Sequence, residues 1–194
     1  MIGTAAAGRP VSITGLGSNA PDRIVSNHEL AQFVDTSDEW IVERTGIRER
    51  RMADDKEALS DVALPACRQA LAQAGLEGAD IDLLIVATVT PDMAFPSTGA
   101  ILADRLGATS AAAYDLSAGC TGFVYALAQG YAMVAGGLAH RALVVGGDLL
   151  SRILDWEDRS TLVLFGGRGG RRHPRNGARA GLRRLRARRR RRGR

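Results

Sequence analysis

The segment Asp115–Leu127 reads Asp-Leu-Ser-Ala-Gly-Cys-Thr-Gly-Phe-Val-Tyr-Ala-Leu, and it decides how this chain folds. A short β-type run, Ala111–Leu116, leads into a Ser-Ala-Gly turn, and an apolar helical pattern starts directly after Cys120. A thiol at a helix N-terminus lies beside free backbone N–H groups and the positive end of the helix dipole, which favour the thiolate. Gly119 and Gly122 leave the approach to the sulfur open. The segment therefore predicts a nucleophilic cysteine suited to acyl transfer.

Packing is the alternative role for Cys120, because free cysteines are often buried and inert. Cys67 illustrates that role, since it lies inside a predicted helix and has no glycine beside it. Two cysteines at unrelated spacing predict neither a disulfide framework nor a zinc site, and the three histidines show no metal-ligand spacing. We therefore expect no metal site.

Helical and strand-like segments alternate along the chain before residue 166. The predicted helices are Asn27–Phe33, Asp38–Thr45, Ala58–Ala74, Ser97–Leu106 and Thr121–Ala135. The predicted strands are Val11–Gly17, Leu83–Thr88, Ala111–Leu116, Arg141–Gly146 and Ser160–Phe165. Ser26 and Thr36 each stand three residues before a glutamate, which predicts two capping boxes. The alternation predicts an α/β fold with a mostly parallel five-stranded sheet and helices on both faces.

Charge divides the chain into a body, residues 1–166, and a tail, residues 167–194. Residues 1–165 contain 12 basic and 21 acidic residues, whereas residues 166–194 contain 14 arginines and no acidic residue. The tail is too poor in apolar side chains to form a core, so we expect it to be disordered. A basic tail suggests nucleic-acid binding as an alternative function. That function is less favoured, because the tail has no aromatic residue for base stacking.

The N-terminus lacks the long apolar core of a signal peptide, and the longest apolar region is interrupted by polar residues. We therefore expect a cytoplasmic protein without a membrane span. Gly15 to Ala20 matches a dinucleotide-binding string, but Pro21 follows where a helix should begin, so nucleotide binding is not predicted there.

Three other positions suggest a binding surface. Trp40 and Arg44 are four residues apart on a predicted helix, an arrangement that suits an adenine ring with a nearby phosphate. The alternative is that Trp40 covers the edge of the core while Arg44 pairs with Glu43 or Asp38. Phe95, between two prolines, either points outward toward a partner or folds back on the core.

Five stretches together resemble the β-ketoacyl-acyl-carrier-protein synthase III family, which has a thiolase-like fold. They are Asp35–Ile41, Arg44–Ile47, Thr90–Pro91–Asp92 with Phe95–Pro96–Ser97, Asp115–Phe123, and Asp158–Arg159. Their order and spacing agree with the family's, and the resemblance covers about residues 10–166, the N-terminal half of a usual member.

The resemblance implies that Cys120 takes an acyl group, typically acetyl, from acyl-CoA as a thioester. Malonyl-acyl-carrier-protein then loses carbon dioxide and its carbanion attacks that thioester, the initiating condensation of fatty-acid synthesis. Acyl-CoA is thus a substrate, and no cofactor is implied. The implied positions are Trp40 on the adenine, Arg44 and Arg159 at the nucleotide end with Thr36 and Thr45 nearby, Leu150 and Phe165 in an acyl channel, and Phe95 across a homodimer interface.

The family's catalytic histidine and asparagine belong to the half that this chain does not match. The resemblance therefore implies a chain that is slowly acylated but does not condense. The change of composition after Gly166 resembles a reading-frame shift, which re-reading the DNA in the other frames tests. Related activities stay open, namely a polyketide-priming synthase, another acyl-thioester enzyme, or a non-catalytic partner of an intact synthase.

Overall fold

A three-stranded parallel sheet forms the centre of the computed structural model, which describes residues 9–165. The strands are β1 (Arg23–Ser26), β2 (Glu49–Met52), β3 (Leu83–Ala87), β4 (Ala112–Leu116) and β5 (Ala142–Gly146). The helices are α1 (Asn27–Leu30), α2 (Asp38–Thr45), α3 (Leu59–Ala74), α4 (Thr98–Leu106), α5 (Gly122–Ala135) and α6 (Arg159–Phe165). The predicted tail, with its expected disorder and nucleic-acid binding, lies outside the described residues.

The strand β3 lies between β4 and β5 and pairs in parallel with both. All five of its residues are buried, as the continuous apolar run predicts for a strand covered on both faces. Successive side chains point to opposite faces, so Leu84 and Val86 pack in a cluster with α3 and α4, whereas Ile85 packs with Ala126 of α5. The sheet thus has helices on both faces, and the predicted α/β class is confirmed.

A second, smaller unit consists of the antiparallel pair β1–β2 with α1 and α6. Its apolar cluster contains Val25, Leu30, Val34, Met52 and Leu162. Phe33 and Trp156 meet at its edge, with ring centroids 5.4 Å apart. This unit brings α6, from the end of the described chain, beside elements from its beginning.

The prediction of five strands in the central sheet is wrong, because the described residues place three strands there. Val11–Gly17 is not a strand but lies along α3, where the N–H of Leu16 donates to Gln73 Oε1 at 2.7 Å. A Cβ added at Gly15 would lie 2.0 Å from the carbonyl oxygen of Ala70. The glycines of the rejected nucleotide-binding string therefore permit a close helix contact.

The second missing strand, Ser160–Phe165, is the helix α6. Asp158 caps it by accepting hydrogen bonds from the N–H of Ser160 at 2.9 Å and the hydroxyl of Thr161 at 2.7 Å. Hydrogen bonds from Ser160 and Thr161 hold the pKa of the Asp158 carboxyl below its usual value. A short apolar run does not by itself distinguish a buried helix from a strand, and the Asp158 cap was the overlooked signal.

The remaining boundaries agree with the sequence to within three residues, with two capping corrections. Ser26 caps α1 by accepting from the N–H of Glu29 at 3.3 Å, as predicted, but the Glu29 carboxylate accepts from Arg23 instead of closing the predicted box. Ser37, rather than Thr36, caps α2 by accepting from the N–H of Trp40 at 3.2 Å. Because Trp40, and not a glutamate, stands three residues after Ser37, the capping box predicted at Thr36 is wrong.

The outer face of α5 carries large apolar side chains that are exposed in this chain. They are Phe123, Val124, Tyr125, Leu127 and Tyr131. A face of this composition usually packs against another surface. Within residues 9–165, no helix is both long enough and apolar enough to cross a membrane.

Candidate active site

Cys120 lies in the connection from β4 to α5 and is exposed. A 3-10 turn, Gly119–Thr121, carries it into the helix, and Gly119 adopts a positive φ of 56°. The hydroxyl of Thr121 donates to the carbonyl of Ala118 at 2.9 Å and closes this turn. The sulfur therefore stands at the start of a 14-residue helix, as the sequence predicts, and is not packed in the core.

Two contacts fix the Cys120 turn relative to the sheet. A Cβ added at Gly122 would lie 3.3 Å from the Cβ of Ala87, so the first residue of α5 is close to the end of β3. At the end of β4, the Asp115 carboxylate accepts from the N–H groups of Thr98 and Gly99, each at 2.8 Å. A carboxylate at a helix N-terminus stabilises that helix. The chain before Cys120 is therefore tied to the start of α4.

The loops that follow β3 and β5 reach the same edge of the sheet. Asp148 accepts from the hydroxyl of Thr88 at 3.0 Å and the N–H of Val89 at 2.8 Å. The N–H of Leu149 donates to the hydroxyl of Thr90 at 2.8 Å. Parallel sheets bind ligands at the carboxyl ends of their strands, where connections leave in opposite directions. Cys120 lies at this edge.

Cys67 has the opposite environment. It is 2% exposed inside α3, within the cluster formed by α3, α4 and the sheet. Burial raises the pKa of the Cys67 thiol to about 11. The sequence-based assignment of Cys67 to packing agrees with its position.

Trp40 is in contact with two arginine side chains, and we call Trp40, Arg44 and Arg159 the Trp40 platform. The guanidinium carbon of Arg44 is 4.5 Å from the ring centroid, and that of Arg159 is 4.1 Å away. Both distances are within the range of cation–π contacts. Arg44 also pairs with Glu43 at 3.7 Å, as the alternative interpretation required, but both side chains are largely exposed. The structure therefore brings together three residues that the resemblance assigned to the nucleotide end.

Among residues 9–165, three buried side-chain atoms have no hydrogen-bond partner: Thr36 Oγ1, Arg50 Nε and Arg159 Nε. Unpaired buried polar atoms are rare and call for an explanation such as a ligand. Thr36 and Arg159 are two of the positions assigned to CoA. Thr45, another of those positions, uses its hydroxyl within the chain, since it donates to the carbonyl of Ile41 at 2.7 Å.

The other predicted positions lie on separate elements. Phe95 is 88% exposed, so the alternative in which it folds back on the core is wrong. Leu150 begins a 3-10 turn after β5 and is half-buried, and Phe165 ends α6 with 46% exposure. Phe165 was expected on a strand and is on a helix. The acyl channel and the dimer contact stay predictions.

Sequence reasoning missed a buried polar group at Arg50. This side chain is 8% exposed, and burial lowers the pKa of its guanidinium. It bonds to Asn27, which is fully buried. Arg50 belongs to the charged stretch Arg48–Arg51, where nothing in the sequence distinguishes the one arginine that points inward.

Comparison with known proteins agrees with this geometry. The family model for 3-oxoacyl-[acyl-carrier-protein] synthase III matches residues 114–170. A β-ketoacyl-[acyl-carrier-protein] synthase III of Symbiobacterium thermophilum is 55% identical over 162 residues, which are 84% of this chain and 49% of that protein. The protein of the same name from Caldanaerobacter subterraneus is 52% identical over 81% of this chain and 48% of its own length.

Two solved structures show the same fold. The 3-oxoacyl-[acyl-carrier-protein] synthase III of Aquifex aeolicus matches with a TM-score of 0.77 and 45% identity, over 80% of this chain and 50% of that one. The priming β-ketosynthase of the R1128 polyketide pathway matches with a TM-score of 0.79 and 38% identity, over 86% and 50%. The chain thus spans about half the length of the relatives it matches. Over that half, the chain belongs to the 3-oxoacyl-[acyl-carrier-protein] synthase III family and has its thiolase-like fold.

Proposed function

We propose that this chain accepts an acyl group from acyl-CoA on Cys120. The observation that carries the proposal is the exposed sulfur at the start of α5, at the carboxyl edge of the parallel sheet. In this step the thiolate attacks the thioester carbonyl carbon, the bond from that carbon to the CoA sulfur breaks, and the CoA thiolate leaves.

The Trp40 platform is the proposed site for the nucleotide end of acyl-CoA. An aromatic ring offers a stacking surface for adenine, and guanidinium groups pair with phosphates. The unpaired Thr36 Oγ1 and Arg159 Nε support a ligand here, because a bound polar group would satisfy them. Thr45 is not proposed to contact acyl-CoA, because its hydroxyl donates to the carbonyl of Ile41 near the end of α2.

In fatty-acid initiation the acyl group on Cys120 would next be condensed with malonyl-acyl-carrier-protein. That step forms a carbon–carbon bond to the acyl carbon, releases carbon dioxide and returns the cysteine as a thiolate. The resemblance places the histidine and asparagine of this step outside residues 10–166. We therefore propose acyl transfer to Cys120 as the activity of this chain, without condensation.

Mass spectrometry tests the proposal directly. After incubation with acetyl-CoA, we expect the wild-type chain and the Cys67→Ser variant to gain one acetyl group, and Cys120→Ser to gain none. An unmodified wild-type chain would refute acyl transfer. Release of a β-ketoacyl product after addition of malonyl-acyl-carrier-protein would refute the proposed loss of condensation.

Priming of polyketide synthesis is the second candidate, because the R1128 priming ketosynthase aligns with a TM-score of 0.79. Comparing the rates at which acetyl-CoA and longer acyl-CoAs modify Cys120 measures the acyl-chain preference of this chain.

The exposed Phe95 supports a homodimer in which it reaches the partner. Sedimentation of the wild-type chain and Phe95→Ser tests that contact. A dimer that weakens on substitution supports it, and equal dimerisation excludes it.

A further inference from the structure

A chain of three hydrogen-bonded polar side chains crosses the small unit of the fold. Arg50 and Asn27 are buried, and Asp38 is half-buried. The Arg50 guanidinium on β2 donates from Nη1 to Asn27 Oδ1 at 2.5 Å. Asn27 donates from Nδ2 to Asp38 Oδ1 at 2.8 Å and to the carbonyl of Ile47 at 2.8 Å. Asp38 is the first residue of α2, and Ile47 follows its end. Asn27 therefore holds both ends of the helix that carries Trp40 and Arg44.

Arg50 also reaches α6. Its Nη2 donates to the carbonyl of Val163 at 2.8 Å, near the end of that helix. A cation at a helix C-terminus is favourable, and a buried arginine is tolerated only when it is hydrogen-bonded. Arg159 is the first residue of the same helix. Arg50 therefore connects α6 to Asn27, and through Asn27 to α2.

The position of Trp40 relative to Arg159 depends on how α2 and α6 are placed. The two side chains come from distant parts of the sequence, and the Arg159 guanidinium carbon lies 4.1 Å from the centroid of the Trp40 ring. The hydrogen bonds of Arg50 and Asn27 link the helices that carry them. Hydrogen bonds have defined lengths and directions, whereas apolar contacts permit more sliding.

We propose that Arg50 and Asn27 are positioning residues for the nucleotide end of acyl-CoA. They set the placement of Trp40 relative to Arg159 and do not themselves contact the substrate. This inference rests on the proposed acyl-CoA-binding function. The competing explanation is that the apolar cluster around Leu162 alone determines the placement of α6.

The experiment follows acetylation of Cys120 in the full chain over a range of acetyl-CoA concentrations. We compare wild type, Arg50→Met, Asn27→Leu and the conservative variant Arg50→Lys. Loss of a hydrogen bond to a charged group predicts a rise of about tenfold in the half-saturating acetyl-CoA concentration for Arg50→Met. The rate at saturation stays unchanged, since Cys120 lies in the other unit. Arg50→Lys, which keeps the positive charge but has a single donor nitrogen, recovers part of the affinity.

Val25→Ala is the matched control, because Val25 is 2% exposed in the same small unit and lies on β1, the partner strand of β2. Val25 lies opposite Arg50 in the β1–β2 pair and carries no polar side-chain atom. The variant therefore loses stability but keeps every hydrogen-bonding group of the polar chain, so its half-saturating concentration stays that of wild type. An equal rise in Val25→Ala would assign the effect to general loosening and overturn the inference. A folded Arg50→Met variant with an unchanged half-saturating acetyl-CoA concentration would also overturn the inference. The same holds if the Arg50 and Asn27 variants fail to fold while Val25→Ala folds. Failure of wild type itself to be acetylated refutes the proposed function instead.

Discussion

The guanidinium of Arg159 lies over the ring of Trp40, with 4.1 Å between the guanidinium carbon and the ring centroid. Arg44 lies 4.5 Å from the same centroid. One aromatic ring thus contacts two cations, one from its own helix and one from a distant part of the chain. This relationship leads to separate expectations for the ring and for the second cation.

Replacing the ring should weaken acyl-CoA binding. Base stacking on an aromatic side chain contributes about 1–3 kcal/mol, so Trp40→Leu should raise the half-saturating acetyl-CoA concentration by about tenfold or more. The measurement is Cys120 acetylation against acetyl-CoA concentration. Trp156→Phe is the control, because Trp156 contacts Phe33 and packs against the apolar cluster of the small unit. Equal half-saturation in Trp40→Leu and wild type would contradict adenine stacking.

Neutralising Arg159 should weaken binding in a salt-dependent way. Arg159→Gln removes a cation proposed to face the phosphates, so its affinity for acetyl-CoA should fall at low salt and approach that of wild type at high salt. Arg68→Gln makes the same charge change at an exposed position on α3 and should leave affinity unchanged. A loss of the same size in both variants would point to net charge rather than to the platform.

The two cysteines should differ in reactivity. Cys120 is exposed at a helix start, whereas Cys67 is buried and its pKa is raised to about 11. Iodoacetamide at neutral pH should therefore alkylate Cys120 and leave Cys67 unmodified until the chain is unfolded, because the thiolate is the reactive form. Peptide mapping of native and urea-treated protein distinguishes the sites. Labelling of Cys67 in the native protein would show that α3 opens readily.

The buried thiol should also make stability depend on pH. The pKa of Cys67 is about 11 in the folded state against an ordinary value of 9.0 for an exposed thiol, so unfolding releases a proton between these values. The free energy of unfolding should therefore fall as pH rises from 9 to 11, by about 3 kcal/mol at most. Urea denaturation at several pH values measures the fall. Cys67→Ala should remove this part of the slope, and an unchanged slope would contradict the assignment.

Gly119 should matter for the reactivity of Cys120. Its φ is 56° and a Cβ there would meet nothing within 4 Å, so Gly119→Ala carries only the cost of the left-handed backbone, about 1–2 kcal/mol. Gly107, at the end of α4, has φ of 75° and equally open space, which makes Gly107→Ala a matched control. Both variants should lose similar stability in urea, and Gly119→Ala alone should slow acetylation. Equal acetylation rates in both would show that the turn does not position the sulfur.

Local patterns in the sequence were sufficient for the elements that depend on local physics. The apolar run Leu83–Thr88 predicted a buried strand, the glycine-bounded patterns predicted α3 and α4, and the Ser-Ala-Gly turn placed Cys120 at the start of α5. Propensity, capping and periodicity act over a few residues, so one sequence displays them directly. The four-residue spacing of Trp40 and Arg44, which predicts neighbouring side chains on one helix, is also a local pattern.

Tertiary structure decided what depends on contacts between distant residues. The short apolar segment after Asp158 packs as a helix with Leu162 buried in the apolar cluster of the β1–β2 unit, and that placement brings Arg159 to Trp40. The predicted strand Val11–Gly17 is not part of the sheet, because the backbone at Gly15 packs closely against α3. The inward orientation of Arg50 likewise depends on Asn27 and on a carbonyl of α6. Such long-range pairings depend on how the whole chain packs, and a local pattern carries no record of them.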